Sequence, residues 1–212
     1  MRPKATKGIC AHCGMEYTRA GMARHLAKCL ADRMKTVKGK KEKDCFHLQV
    51  SAKYATAYWL HLQVDAAATL KTLDGFLREI WLECCGHMSM FHVGHREIGM
   101  SRKLSSFFSP GTTIDYDYDM GDTTSLEIKV VAAYQGQVIP RKSVEILARN
   151  QPPEISCDEC GKRPAVRICQ ECQWEGEGWL CKICAANHEC GDEEYLLPLA
   201  NSPRAGVCGY VG

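Results

Sequence analysis

Two residues separate Cys10 from Cys13, and three separate His25 from Cys29. A C-x-x-C turn points two sulfurs at one centre, and a His and a Cys four positions apart lie on one face of a helix. Met22 to Lys28 contains no breaker after Gly21, so a helix is expected there. Four such donors close a tetrahedron, the geometry preferred by structural zinc. Near the other end, three C-x-x-C pairs follow one another across gaps of eight residues: Cys157 and Cys160, Cys169 and Cys172, Cys181 and Cys184. His188-x-Cys190 comes next. These eight donors imply two further ions, three zinc ions in all. Cys208, within Gly206-Val207-Cys208-Gly209, rivals Cys190 for the eighth place. A catalytic zinc keeps one position open for water, whereas four-donor shells are structural.

Two other strings could do chemistry. Cys84-Cys85-Gly86-His87, with His92 and His95 nearby, contains possible metal donors. Adjacent cysteines at a helix end point in different directions. Burial as small hydrophobes is therefore the reading preferred over a metal site there. In Asp115-Tyr116-Asp117-Tyr118-Asp119-Met120-Gly121-Asp122, a strand would put three carboxylates on one face and two tyrosines on the other. Stacked carboxylates repel unless a cation joins them. A divalent ion such as Mg²⁺ or Mn²⁺, or a basic partner, would relieve that repulsion. The plainer reading is an exposed strand running into a turn. The chain has no G-x-S-x-G elbow, phosphate-cradling loop or H-E-x-x-H helix.

Fourteen cysteines in 212 residues would mean a disulfide framework in a secreted chain. Met1 to Gly8, however, is basic and polar rather than a signal with an apolar centre. No run of eighteen apolar residues is present to span a membrane. The expectation is a cytoplasmic, metal-binding protein with no membrane partner. The net charge of +2 is unevenly spread: residues 1–43 hold twelve Lys/Arg against three Asp/Glu, a surplus of +9. Residues 44–153 balance at −2, and residues 154–212 at −5. A basic head suits DNA or RNA, with a salt-sensitive backbone contribution. The acidic end suits a protein partner better, and Trp174, Trp179 and Tyr195 either face that partner or cover a module too small for a full core.

These donors need elements to hold them. The lysine-rich residues 33–43 read as a basic linker, and Asn150-Gln151-Pro152-Pro153 as a second break. Between the two, Phe46, Leu48 and Val50 alternate as on a strand. Leu60, Leu62 and Val64 do likewise, with Trp59, His61 and Gln63 on the opposite face. Leu70, Leu73, Leu77 and Ile80, widened by Phe76 and Trp81, predict an amphipathic helix ending near Gly86. A strand at Phe91 and Val93, a hairpin of Thr113–Asp119 with Thr124–Tyr134, and a strand over Val144–Leu147 complete the pattern. The expected class is α+β: a mostly antiparallel sheet with one long helix, flanked by two small zinc-binding modules.

Three resemblances fit this division. Residues 1–32 resemble a C₂H₂-type zinc finger whose last His is replaced by Cys, a C2HC pattern. DNA-reading fingers of that type place one helix in the major groove, and Arg19, Arg24 and Lys28 lie around the predicted helix. The cysteine-rich double zinc module at 154–212 resembles B-box-like modules. That resemblance implies a cross-brace, with Cys157, Cys160, Cys181 and Cys184 on one ion and Cys169, Cys172, His188 and Cys190 on the other; sequential use of neighbouring pairs is the alternative. Tyr118-Asp119-Met120-Gly121-Asp122 before Leu126-Glu127-Ile128 resembles the tyrosine–aspartate–aromatic–glycine–aspartate motif of the plasmid pRiA4b ORF-3-like family. Thr69-Leu70, the helix to Trp81, His87 and Phe91 also fit that family. The likeness covers residues 44–148 within an α+β region at 44–150. It implies an α+β fold in proteins linked with plasmids or mobile elements, and no established reaction. The resulting expectation is a non-enzymatic zinc protein contacting nucleic acid through residues 1–43. The alternatives are a protein-interaction adaptor with a partner on residues 154–212, and a divalent-metal-dependent enzyme using the Asp115–Asp122 cluster.

Overall fold

The computed structural model describes residues 5–36, 42–137, 142–190 and 195–212. Residues 37–41, the middle of the lysine-rich stretch, lie outside the described residues. The chain opens with a hairpin of β1 (Lys7–Cys10) and β2 (Glu16–Thr18), followed directly by α1 (Arg19–Thr36). β3 (Glu42–Ala52), β4 (Trp59–Asp65) and α2 (Leu70–Leu77) follow. Next come β5 (Ser89–Val93), β6 (Arg96–Ile98), β7 (Thr113–Tyr118), β8 (Thr124–Gln137) and β9 (Val144–Asn150). The C-terminal part contains β10 (Arg167–Cys169), α3 (Gln170–Gln173), β11 (Trp179–Leu180), α4 (Lys182–Ala186) and β12 (Leu196–Pro198).

Nine strands form one antiparallel sheet in the order β2-β1-β9-β4-β3-β8-β7-β5-β6, which bears out the α+β expectation. The alternations read from the sequence lie at its centre. Phe46, Leu48 and Val50 of β3, Leu60, Leu62 and Val64 of β4, and Leu126, Ile128 and Val130 of β8 bury one face. Leu70, Leu73 and Leu77 of α2 cover that face. Thr69 starts the helix, its Oγ1 accepting the Thr72 N–H at 3.3 Å.

The helix itself differs from the sequence pattern. The apolar stripe from Leu70 to Trp81 becomes eight α-helical residues and then a π-helical turn, Arg78–Leu82. A five-residue step brings Leu82 round to the side of Leu77, so Leu77, Trp81 and Leu82 are all buried in the same core. Among the described residues the longest helix is α1, with 18 residues.

α1 explains the polar half of β4. Met22, Leu26 and Leu30 press against the second face of the sheet, together with Trp59, Leu147 and Ala148. β4 is thus buried on both sides along its whole length. His61, on the α1 side, meets His47 of β3, Nδ1 to Nε2, at 2.8 Å. Burial holds both imidazoles neutral, lowering His47 to about 4 and His61 to about 3. β1 pairs with β9 through Gly8, Ile9 and Cys10, so the N-terminal hairpin continues the main sheet. A Cβ on Gly8 would collide with the Trp59 ring and the Arg149 carbonyl, which is why glycine stands at this crossing. No described helix is long and apolar enough to cross a membrane.

Candidate metal centres

A tetrahedral zinc with Zn–S bonds of about 2.3 Å sets sulfur–sulfur edges near ~3.8 Å, far longer than a disulfide of about 2.05 Å. That spacing tests each group of donors.

The N-terminal group forms where β1 ends against α1. Cys10 closes the strand, and its N–H donates to the Met15 carbonyl at 3.0 Å across the turn that carries Cys13. His25 and Cys29 come from successive turns of α1. Donor atoms of all four residues lie within 4.8 Å of one another. Cys10 Sγ is 3.9 Å from Cys29 Sγ, and Cys13 Sγ is 3.2 Å from His25 Nε2. The His25 ring stacks on Tyr17 at 4.5 Å, which fixes its plane. Burial and the neighbouring Cys10 push the Cys29 thiol up to about 12. A cation among these sulfurs would reverse that cost.

The C-terminal donors fall into two interleaved groups: Cys157, Cys160, Cys181 and Cys184, then Cys169, Cys172, His188 and Cys190. Each group's donor atoms lie within 4.8 Å of one another. β10, β11 and β12 form a three-stranded sheet between them, in the order β11-β10-β12. With so small a sheet, the buried centre consists of Cys157, Cys169, Leu180 and Cys181. Cys160 Sγ lies 4.0 Å from Cys181 Sγ, and Cys172 Sγ 3.4 Å from His188 Nε2. Backbone N–H groups of Lys162 and Arg163 favour the Cys160 thiolate, lowering it to about 6. At the start of α4, Cys181 Sγ accepts the Cys184 N–H at 3.5 Å. His188 presents Nε2 inward while its Nδ1 stands 2.7 Å from Glu159 Oε1. A carboxylate behind a ligating imidazole is the usual way to fix its ring and tautomer.

A fourth group departs from the sequence reading. Cys84, Cys85, His87 and Cys208 bring their donor atoms within 4.8 Å of one another. The chain leaves the π turn at Glu83 in an extended conformation, φ −65° and ψ 119°. The two cysteines therefore sit on a non-helical loop, and the rule about helix directions does not apply. Cys208 stands with this group, while Cys190 stands with Cys169, Cys172 and His188. A signal was present in the sequence. Once ten cysteines are given to the three predicted sites, only Cys45, Cys84, Cys85 and Cys208 remain. Cys45 is buried in β3, its thiol raised to about 11 by that burial. His92 and His95 do not join the group.

Among the described residues, the carboxylates of the acidic string form no common donor group. Asp115 pairs with Lys53 Nζ at 2.8 Å, and Asp117 with His92 Nε2 at 2.8 Å. Asp119 has left the strand, with φ 66°, and meets the buried Arg204 Nη2 at 2.5 Å. Of the two remedies for stacked carboxylates, the structure uses basic partners, a different one for each.

On α1, Arg24 and Lys28 are exposed four residues apart, while Arg19 is half-buried. A cleft of about 580 Å³ lies elsewhere, between the β3–β4 loop and the C-terminal module. Tyr54 and Trp174 line it and are 84% and 79% exposed, and Cys208 forms part of its wall.

No protein-family model matches this chain, and no curated protein matches it. Among solved structures, it is similar to the protein of unknown function MM3350 from Methanosarcina mazei Go1. The two are 18% identical with a TM-score of 0.44, over 51% of this chain and 70% of that one.

Proposed function

We propose that this chain is a zinc-organised, non-enzymatic protein that contacts nucleic acid through its basic N-terminal finger. The observation that carries the reading is the two-sided character of α1. Met22, Leu26 and Leu30 anchor one side to the sheet, and Arg24 and Lys28 stand exposed, four positions apart. Zinc on the Cys10, Cys13, His25 and Cys29 donors would fix that helix against β1, inside a segment with a surplus of +9. Zinc at this group and at the two C-terminal groups would replace the core that such short segments cannot build. With four protein donors each, these ions hold structure rather than activate water.

The same proposal places the chain in a reducing cytoplasm, where cysteines stay available to metal, in keeping with fourteen cysteines of which none is joined in a disulfide. It also places residues 44–148 with the plasmid pRiA4b ORF-3-like family, on the strength of Tyr118-Asp119-Met120-Gly121-Asp122 linking β7 to β8. Asp115, Asp117 and Asp119 of the acidic string each face a basic side chain, which favours that pairing over a shared divalent ion. The adaptor reading draws support from Tyr54 and Trp174 at the cleft.

The test is a salt titration of binding to arbitrary duplex DNA and to single-stranded RNA. Log affinity should fall linearly with log salt, and removing one contacting lysine should reduce the slope by about 1. Lys28→Ala and Arg24→Ala are the variants to compare. Absence of binding to either nucleic acid at low salt overturns this reading and leaves the adaptor.

A further inference from the structure

We propose that Cys84, Cys85, His87 and Cys208 hold a fourth zinc ion, which clasps the C-terminal segment to the main sheet's core. The proposal rests on the reading of this chain as a zinc protein and adds a site that joins parts of the chain far apart in sequence.

Four observations support it. The spacing is that of a tetrahedron: Cys84 Sγ to Cys85 Sγ is 3.9 Å, and Cys85 Sγ to Cys208 Sγ is 3.7 Å. His87 Nε2 completes it, 3.0 Å from Cys85 Sγ and 3.2 Å from Cys208 Sγ. Neither sulfur pair is a disulfide, and three thiols with one imidazole make a donor set suited to zinc.

The loop that carries three of the donors is also held from behind. Glu83 Oε1 accepts the Gly86 N–H at 2.6 Å and the Tyr118 hydroxyl at 3.2 Å. Arg78 Nη1 donates to the His87 carbonyl at 2.9 Å. Such supports behind the donors are what a metal site needs to keep its shape.

Backbone strain is concentrated here as well. Among the described residues, only Asp119 and Cys208 have left-handed backbone without being glycine, at φ 66° and 48°. Cys208 belongs to this group, and Asp119 Oδ2 lies 3.4 Å from His87 Nε2. Residues persist in that conformation where their surroundings over-determine it.

Finally, the tail is already directed to this spot. Ser202 Oγ donates to the Trp81 carbonyl at 2.6 Å. Arg204, wholly buried, donates to the Asp122 carbonyl at 2.6 Å and contacts Asp119 and Cys84 Sγ at 2.5 and 3.6 Å. A guanidinium beside one sulfur offsets part of the negative charge that three thiolates bring to a dication.

The clasp differs from the other three groups in span and exposure. It joins Cys85 and Cys208, which stand 123 positions apart in the chain. Cys85 and Cys208 are exposed, so this ion should exchange first. Cys208 also lines the cleft with Tyr54 and Trp174, so occupancy of the clasp sets the position of one cleft wall.

Native mass spectrometry of the full chain purified with zinc, beside Cys208→Ser and His87→Asn, tests the proposal. The expected result is four ions in the parent chain and three in each variant. Hydrogen exchange should speed up in residues 206–212 of the variants, with residues around Ser202 and Arg204 less affected. Competition with a chelator should remove one ion from the parent chain faster than the rest. Three ions in the parent chain and in both variants would overturn the clasp while leaving the zinc reading intact. No ions in the parent chain would overturn both. Four ions in both variants would place the fourth ion elsewhere and likewise sink the proposal.

Discussion

Glu159 and His188 join two donor groups that share no ligand. Glu159 sits between Cys157 and Cys160, and its Oε1 lies 2.7 Å from Nδ1 of His188, whose other nitrogen faces Cys172. The support for one imidazole is thus supplied by the turn that holds the neighbouring group's sulfurs. Disturbance of either group reaches the other through this contact.

Glu159→Ala removes the support and no donor. It should weaken the ion at Cys169, Cys172, His188 and Cys190 by roughly 10–100-fold, the usual cost of losing such a partner. Zinc competition with a coloured chelator measures this. Unchanged affinity, with stoichiometry also unchanged, would show that the contact does not orient His188.

The buried imidazole pair makes stability depend on pH. His47 and His61 stay neutral in the fold, lowered to about 4 and about 3 by burial. In the unfolded chain they take up protons below about 6.5. The unfolded state therefore binds more protons between these values, and stability should fall as pH drops from about 6.5 towards 4. Each such proton contributes about 1.4 kcal/mol per pH unit. The metal donors titrate too, so the comparison is with His47→Gln measured in parallel. The variant should show the shallower decline in denaturation midpoint. Equal slopes would remove the pair as a cause.

Much of the central sheet was legible because its chemistry is local. Leu48, Leu62 and Ile128 alternate with neighbours of different character, and that period fixes strand and face without knowledge of any partner. The donor groups within the two ends were legible for a similar reason: their members stand close in sequence, in turns and on one helix face. Cys84 and Cys208 were not. Their meeting depends on the tail crossing back over Trp81 and Asp122, which no local period encodes. The end of α2 was hidden by the same kind of distance, since a π turn is selected by what Leu82 packs against. Asp119 departs from the strand pattern because its left-handed turn is held by Arg204, 85 residues away.

Gly8 tests how the N-terminal hairpin joins the sheet. Its Cα lies where β1 passes β9, and an added Cβ would meet the Arg149 carbonyl and the Trp59 ring, both held in place. Trp59 cannot swing aside freely, because its Nε1–H donates to Thr6 Oγ1 at 3.0 Å and its ring is buried with Leu147. Gly8→Ala should therefore cost roughly 1–3 kcal/mol, the range for overpacking a filled site. Because Cys10 lies two residues on in the same strand, the strain should also lower zinc affinity at the N-terminal group and leave the C-terminal groups unaffected. Denaturation midpoints with and without chelator, alongside ion counts, separate the two effects. A stable Gly8→Ala chain with full zinc affinity would show that β1 can move away from Trp59 without cost.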